Sequence, residues 1–294
     1  MKQLLILSGK GGTGKTTIAG AFIKLNRAKA YADCDVDAPN LHLLMTDSAL
    51  SRHTTYYGLP KAQIDAQLCN GCGMCRELCR FDAISADRVY RVEPMACEGC
   101  GVCALICPVG AVSLAPYVDG DLLLYNTSSA IFSTALLKMG SGTSGMLVTA
   151  VKKQLLEAVD DVDVVIIDGS PGIGCPVIAS ISGVDMVLVV AEPSISGISD
   201  MERIVRTAAG FHVKTAVCIN KYDMNMANTE QIECYCRNEG LPCTGRIPFD
   251  PTVITALNDG RAITDTACPA GSAIREVYVN TMQLLFEQND EEQR

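Results

Sequence analysis

Eight of the fifteen cysteines fall in two runs of one spacing, Cys69-x2-Cys72-x2-Cys75-x3-Cys79 and Cys97-x2-Cys100-x2-Cys103-x3-Cys107. Thiolates spaced in this way hold iron–sulfur cubes: three neighbours wrap one cube and the fourth crosses to the other. The spacing predicts two [4Fe–4S] clusters, one on Cys69, Cys72, Cys75 and Cys107, the other on Cys79, Cys97, Cys100 and Cys103. Gly71, Gly73, Gly99 and Gly101 permit tight turns and leave N–H groups free to point at sulfur. Paired zinc sites are the competing chemistry, but zinc prefers two C-x2-C pairs, and triplets would strand thiols. Pro108 follows Cys107, whereas Arg80 stands at the matching place after Cys79.

A second chemistry lies at the N-terminus. "GKGGTGKT", Gly9 to Thr16, satisfies G-x-x-x-x-G-K-[ST] between a strand-like run and a helical stretch. Its glycines curl the backbone so that N–H groups face phosphate oxygens, and the following helix adds its positive end. Gly9, Lys10, Gly11, Gly12, Thr13, Gly14, Lys15, Thr16 and Thr17 form the expected nucleotide loop. Lys15 should reach the β- and γ-phosphates, and the Thr16 hydroxyl should ligate Mg²⁺. "VDVVIIDGSPG" is an apolar strand ending in Asp168, a carboxylate placed to hold Mg²⁺ through water, followed by a switch-like turn, Gly169 to Gly172. In "YADCDVDAPNL", Asp33, Asp35 and Asp37 have calcium-loop spacing, but Ala38 replaces the needed Gly and Leu44 the needed Glu. Asp37 reads as a strand-end cap.

The loop resembles the deviant Walker A motif of the MinD/ParA/nitrogenase-iron-protein class of P-loop ATPases, because Lys10 directly follows the first glycine. The resemblance implies that Lys10 crosses a face-to-face dimer interface to the partner's nucleotide, so ATP binding brings dimerisation. It further implies that Asp35, on the first switch, positions the attacking water and joins the Mg²⁺ site. "INKYD", with Asn220, Lys221 and Asp223, has the N-K-x-D form that GTPases use for guanine; in MinD-like ATPases the same string contacts adenine. ATP is therefore expected, with GTP as the minority option. "GRIPFDPTV" resembles the stretch that closes over the base in this class, with Pro248 at its centre. The catalytic set implied is Lys10, Lys15, Asp35 and Asp168.

The elements that must position these residues alternate. Strand-like "QLLILS", "KAYADCD", "DLLLYNTS", "VDVVIIDGS", "VDMVLVVAE" and "KTAVCINK" are separated by amphipathic stretches such as "GMLVTAVKKQLLEAV". This rhythm predicts an α/β fold with a doubly wound, mostly parallel sheet of P-loop type. It stops between about residues 61 and 116, where the two cysteine runs repeat at an offset of 28. A small α+β two-cluster ferredoxin-like module, 61–116, is thus expected inside a discontinuous ATPase domain, 1–60 and 117–294. The whole resembles MinD-superfamily ATPases carrying such an insertion, from Met1 to Phe286.

Composition excludes other classes. Net charge is −9, which leaves no basic field to gather nucleic acid. Apolar runs stop far short of the roughly 20 residues of a spanning helix, and the acidic "EQNDEEQR" end opposes anionic lipid. Fifteen cysteines without a secretion signal point to a reducing cytosol. Cys34, Cys175 and Cys218 read as buried small hydrophobes; Cys234, Cys236 and Cys243 are a weak candidate for a further metal or redox site. The leading expectation is a slow, partner-dependent ATPase, a homodimer or a heterodimer with a similar ATPase, that couples MgATP to electron transfer toward a redox or client protein. The alternatives are a MinD/ParA-like regulatory or positioning switch with a redox-sensing module, and a cluster or metal delivery factor. An amidotransferase reading fails because no separate glutaminase domain fits the length.

Overall fold

The computed structural model describes residues 1–44, 49–86, 89–126 and 129–287; the acidic end noted above lies almost wholly outside them. Lys2–Leu7 (β1) carries four consecutive apolar residues that a sheet covered on both faces can bury. The later strands are Ala30–Asp33 (β2), Ala49–Tyr57 (β3), Lys61–Ile64 (β4), Ile84–Ala86 (β5), Tyr90–Val92 (β6), Val112–Ala115 (β7), Val118–Asn126 (β8), Ile131–Leu137 (β9), Val164–Asp168 (β10), Met186–Ala191 (β11), Lys214–Asn220 (β12) and Cys243–Ile247 (β13). The helices are Lys15–Asn26 (α1), Met74–Glu77 (α2), Val102–Leu105 (α3), Ser144–Ala158 (α4), Cys175–Ile181 (α5), Ile195–Gly210 (α6), Met226–Asn238 (α7), Thr252–Asn258 (α8) and Pro269–Phe286 (α9).

One sheet runs β13-β12-β11-β1-β10-β2-β9-β8-β3. Neighbours from β13 to β9 are parallel, and β8 and β3 are antiparallel at the edge. Alternation along β1 sends Leu5 and Leu7 into one core with α4, α5, α6 and α7, and Leu4 and Ile6 into the other with α1, α8 and α9. Each such side chain contributes about 1.5–3 kcal/mol by leaving water. The carboxyl ends of β1, β2, β10, β11 and β12 therefore gather at one edge of a rigid sheet, where ligands bind in open α/β folds.

Three strands of this sheet escape the sequence reading. β3 is exposed along nearly its whole length, so it carries no apolar signal. β9 is buried but interrupted by Ser133 and Thr134, whose polarity hides the run. β13, "CTGRI", is short and half polar.

Between β3 and β8 the chain builds a separate layer: β4 pairs with β7 and β5 with β6, each antiparallel, with α2 and α3 alongside. Gly73 and Gly101, 28 residues apart, take the same left-handed turn before α2 and α3, with φ of 81° and 77°. The internal repeat is thus a repeat of conformation.

Candidate functional site

The phosphate loop joins β1 to α1, and left-handed Gly12 and Gly14, at φ +79° and +96°, let it curl. A side chain at Gly9 would collide with Asp200 of α6, since its Cβ would lie 2.1 Å from that of Asp200. Lys15, the first residue of α1, is buried, and its Nζ donates to Asp168 Oδ1 at 2.5 Å and approaches Thr16 Oγ1 at 3.4 Å. The register β2-β10-β1 sets Asp33 directly beside Asp168. Burial would push the Lys15 ammonium down, but Asp168, Asp33 and Asp35 together hold it above its ordinary value. Burial, reinforced by the Asp168 charge, pushes Asp33 up to about 7. Burial likewise raises Asp35.

Asp33, rather than Asp37, caps its strand. It accepts from the backbone N–H of Asp35, Asn40 and Leu41 at 2.9–3.0 Å and so shapes the loop that carries Asp35. Asp37 is exposed. Asp168 Oδ2 is buried with no hydrogen-bond partner. An orphaned carboxylate oxygen beside the Thr16 hydroxyl and the phosphate loop is the donor set a magnesium ion fits.

Beside the loop lies a cavity of about 260 Å³ lined by Gly12, Gly14, Thr17, Asn220, Lys221, Pro248 and Phe249, among others. Asn220 Nδ2 donates to Thr13 O at 2.6 Å, and Lys221 Nζ to Gly12 O at 2.9 Å. Asp223 Oδ1 accepts from Phe249 N at 2.7 Å, tying the far wall to the N-K-x-D turn. The loop glycines, Lys15, Thr16, Thr17, Asp35, Asp168, Asn220, Lys221, Asp223 and Pro248 thus come together around one edge. Lys10 is turned aside: its Nζ lies 3.4 Å from Glu192 Oε2 and 3.1 Å from Ser194 Oγ. Glu192 also lies 3.6 Å from Lys221. The sequence reading missed Glu192, although an acidic residue directly after β11 sits, like Asp168, at the edge where parallel strands present ligands.

The cysteines sort into two pockets. Cys69, Cys72, Cys75 and Cys107 line one, and Cys79, Cys97, Cys100 and Cys103 the other, so each takes its fourth thiol from the other run. Cys97 Sγ accepts from the N–H of Ala62 and Gly99 at 3.5 and 3.4 Å, and Cys107 Sγ from Ala111 N at 3.3 Å. Backbone N–H groups, Val109 first, hold the Cys107 thiol below its ordinary value. Among the described residues no three His, Cys, Asp or Glu side chains converge as a single-ion site. Cys34 and Cys218 are buried as expected, but Cys175, expected to be buried, is exposed at the start of α5. Cys236 is packed in the core while Cys234 is exposed, so those two share no site. No helix among the described residues is long and apolar enough to cross a membrane.

Comparison with known proteins agrees with this architecture. An uncharacterised protein of Methanocaldococcus jannaschii is 31% identical over 281 residues, covering 94% of this chain and 95% of its own length. The septum site-determining protein MinD of Helicobacter pylori is 31% identical over 128 residues, 40% of this chain and 48% of its own. Among solved structures, MinD of Pyrococcus horikoshii complexed with Mg-ADP superposes with a TM-score of 0.58 at 16% identity, over 97% of both chains. The ATP complex of Cyanothece McdA does so with a TM-score of 0.56 at 19%, over 99% of both. Residues 4–263 match the CobQ/CobB/MinD/ParA nucleotide-binding domain, and the chain belongs to that family.

Proposed function

We propose that the chain is a Mg²⁺-dependent, dimerising ATPase that couples nucleotide binding and hydrolysis to electron transfer through two [4Fe–4S] clusters. The observation that carries this reading is the sorting of eight cysteines into two pockets with crossed fourth thiols, in one chain with a phosphate loop. When bound, the clusters would supply one-electron chemistry, their potentials set by the N–H groups at Cys97 and Cys107 and by exposure.

At the nucleotide edge, Lys15 must leave Asp168 to meet β- and γ-phosphates, which frees that carboxylate for Mg²⁺ together with Thr16. On this reading Asp35, whose carboxyl burial raises, would orient the attacking water. Asn220 and Pro248 bound the base cavity. Relatives crystallised with Mg-ADP and ATP support the nucleotide assignment, and a MinC:MinD complex supports family members working with protein partners. Lys10, on this reading, leaves Glu192 to serve a second copy. Fifteen free cysteines fit a reducing compartment.

Anaerobic reconstitution with iron and sulfide, followed by redox titration under electron paramagnetic resonance with and without MgATP, tests the proposal. Two clusters whose potentials move on adding MgATP are expected, and Cys72→Ala should lose one cluster while keeping nucleotide. Zinc uptake without labile sulfide would sink the redox reading. The partial match to MinD favours one alternative, a regulatory switch with a sensing module; clusters indifferent to nucleotide would select it.

A further inference from the structure

Asp168 ends β10, and after Gly169 to Gly174 the chain enters α5. This turn is stitched to both phosphate-facing loops: Ser170 Oγ donates to Cys34 O, and Gly172 N to Ser8 O at 3.0 Å. A phosphate or cation that draws the turn inward must draw the start of α5 with it.

α5 cannot move alone. α4 runs alongside it in parallel, its residues 145–152 touching both ends of α5. At their starts the backbones touch, since a Cβ on Gly145 would lie 3.2 Å from both Cys175 Cβ and Cys175 O. At the far end the buried Lys152 of α4 donates to Ser180 O at 2.7 Å and Ser182 O at 2.5 Å, capping the final carbonyls of α5. Close packing lets such a pair shift as one body and deform little.

The start of α4 reaches the cysteine module. Gly140 and Gly142 receive Met95 and Glu98, which flank Cys97: a Cβ on Gly140 would lie 2.5 Å from Met95 Cε, and one on Gly142 3.1 Å from Glu98 Oε2. Fully buried Asp119, at the module's exit, accepts from Ser141 Oγ at 2.9 Å and Thr143 Oγ1 at 3.0 Å. Gly58, at the module's entry, presses on the same carboxylate, for a Cβ there would sit 1.8 Å from Asp119 Oδ2. Both stems and the loop before α4 therefore meet at one side chain. The glycines of the other cysteine loop meet nothing outside the module among the described residues: a Cβ on Gly71 would have no neighbour within 4 Å, and one on Gly73 would meet Tyr90.

We infer that the α4–α5 pair is a mechanical relay from the nucleotide switch to one cysteine quartet, Cys79, Cys97, Cys100 and Cys103, and that the other quartet is insulated from it. The inference rests on the ATP-coupled redox reading and names its route and its asymmetry.

Hydrogen exchange on the iron-loaded full chain, with and without Mg²⁺ and a non-hydrolysable ATP analogue, tests it. Nucleotide should slow exchange in residues 9–17 and 169–175, and several-fold in 138–147 and 95–101, while 69–76 stays unchanged. In Gly145→Val, whose added methyls push the helix starts apart, and independently in Lys152→Met, protection at 9–17 should persist while that at 95–101 is lost. Protection at 9–17 with 95–101 unchanged, or with 69–76 changing equally, overturns the relay and leaves the redox reading standing. Absence of protection at 9–17, or a chain that takes up no iron, overturns that reading and the relay together.

Discussion

In the nine-stranded body, Leu4, Leu5, Ile6 and Leu7 lie fully buried between two extensive cores, whereas the packed apolar cluster of the cysteine module holds, among the described residues, only Ala62, Cys75, Ala83, Ile84, Cys97 and Val112. Two of those six are themselves members of the quartets. Apolar burial on this scale should let the body fold without its ligand, and it pairs its buried charges, as Lys15 with Asp168. The module lacks that surplus, and short β4, β5, β6 and β7 supply few hydrogen bonds. The difference teaches that the nucleotide is a visitor to a finished site, while the clusters would be part of what finishes theirs.

The largest effect that could break this comparison is removal of the proposed clusters. Metal–thiolate binding in small modules is folding free energy, on the order of 10 kcal/mol for structural zinc. Chelating iron from the reconstituted chain, or combining Cys72→Ala with Cys100→Ala, should unfold residues 61–116 and leave the body's thermal transition in place. The check is calorimetry alongside hydrogen exchange of β4 and β7. A module that stays protected without iron would show that its small core suffices.

Lys15→Ala comes next and strikes the other region. Nucleotide affinity should fall by about 100-fold or more through loss of the charged phosphate contact, with cluster content unchanged. The same variant leaves Asp33 and Asp168 buried side by side without their cation, which costs about 3–5 kcal/mol of stability. The intact nucleotide-free protein should already show the strain as a pH dependence. Burial and the neighbouring Asp168 charge push Asp33 up to about 7 from its ordinary value of 3.8, so the folded state holds the proton more tightly than the unfolded one. Its stability contribution is complete below about pH 4 and is lost as pH rises through 7, a fall of a few kcal/mol. Urea midpoints of the body between pH 5 and 8 measure this, and a flat profile would contradict it.

How legible these regions were follows from the same physics. The cysteine runs and the phosphate loop are covalent spacing rules, so Cys69 to Cys107 and Gly9 to Thr16 announce themselves without any fold. β3 does not, because an exposed edge strand has no burial pattern, and β9 hides behind Ser133 and Thr134, of which Ser133 donates to Val151 O within the sheet–helix interface. The role of Asp33 as organiser of the Asp35 loop depends on backbone N–H groups of Asn40 and Leu41, which only the folded chain brings near. Glu192 was missed for a similar reason: its partners, Lys10 and Lys221, are far away in sequence.

Asp223 offers a smaller test, within the body. Its carboxylate is engaged by the Phe249 N–H, so it braces the cavity wall where a GTPase would read guanine. Asp223→Ala should weaken ATP binding by about fivefold to tenfold, the worth of one charged hydrogen bond, with no gain of GTP relative to ATP. Calorimetric titration with both nucleotides decides this. A selective loss of GTP would instead assign Asp223 to the base.

The smallest expected effect is at Glu192, and it bears on the proposed dimerisation of the body. Glu192 lies 3.4 Å from Lys10 and 3.6 Å from Lys221, and the Lys10 side chain is about one-third exposed, so each pair is worth at most about 1 kcal/mol. Releasing Lys10 is nevertheless a step that any cross-interface role requires, and this contact opposes it. Glu192→Gln should therefore lower the protein concentration at which ATP drives dimerisation by about twofold to fivefold, while barely changing the melting temperature. Lys221 keeps its bond to Gly12 O in that variant, so the phosphate loop should hold its shape. Sedimentation velocity with the non-hydrolysable analogue measures the shift, and high salt should shrink it by screening the same pair in the parent. A Glu192→Gln protein that dimerises less readily would mean that the carboxylate guides Lys10 toward the partner rather than holding it back.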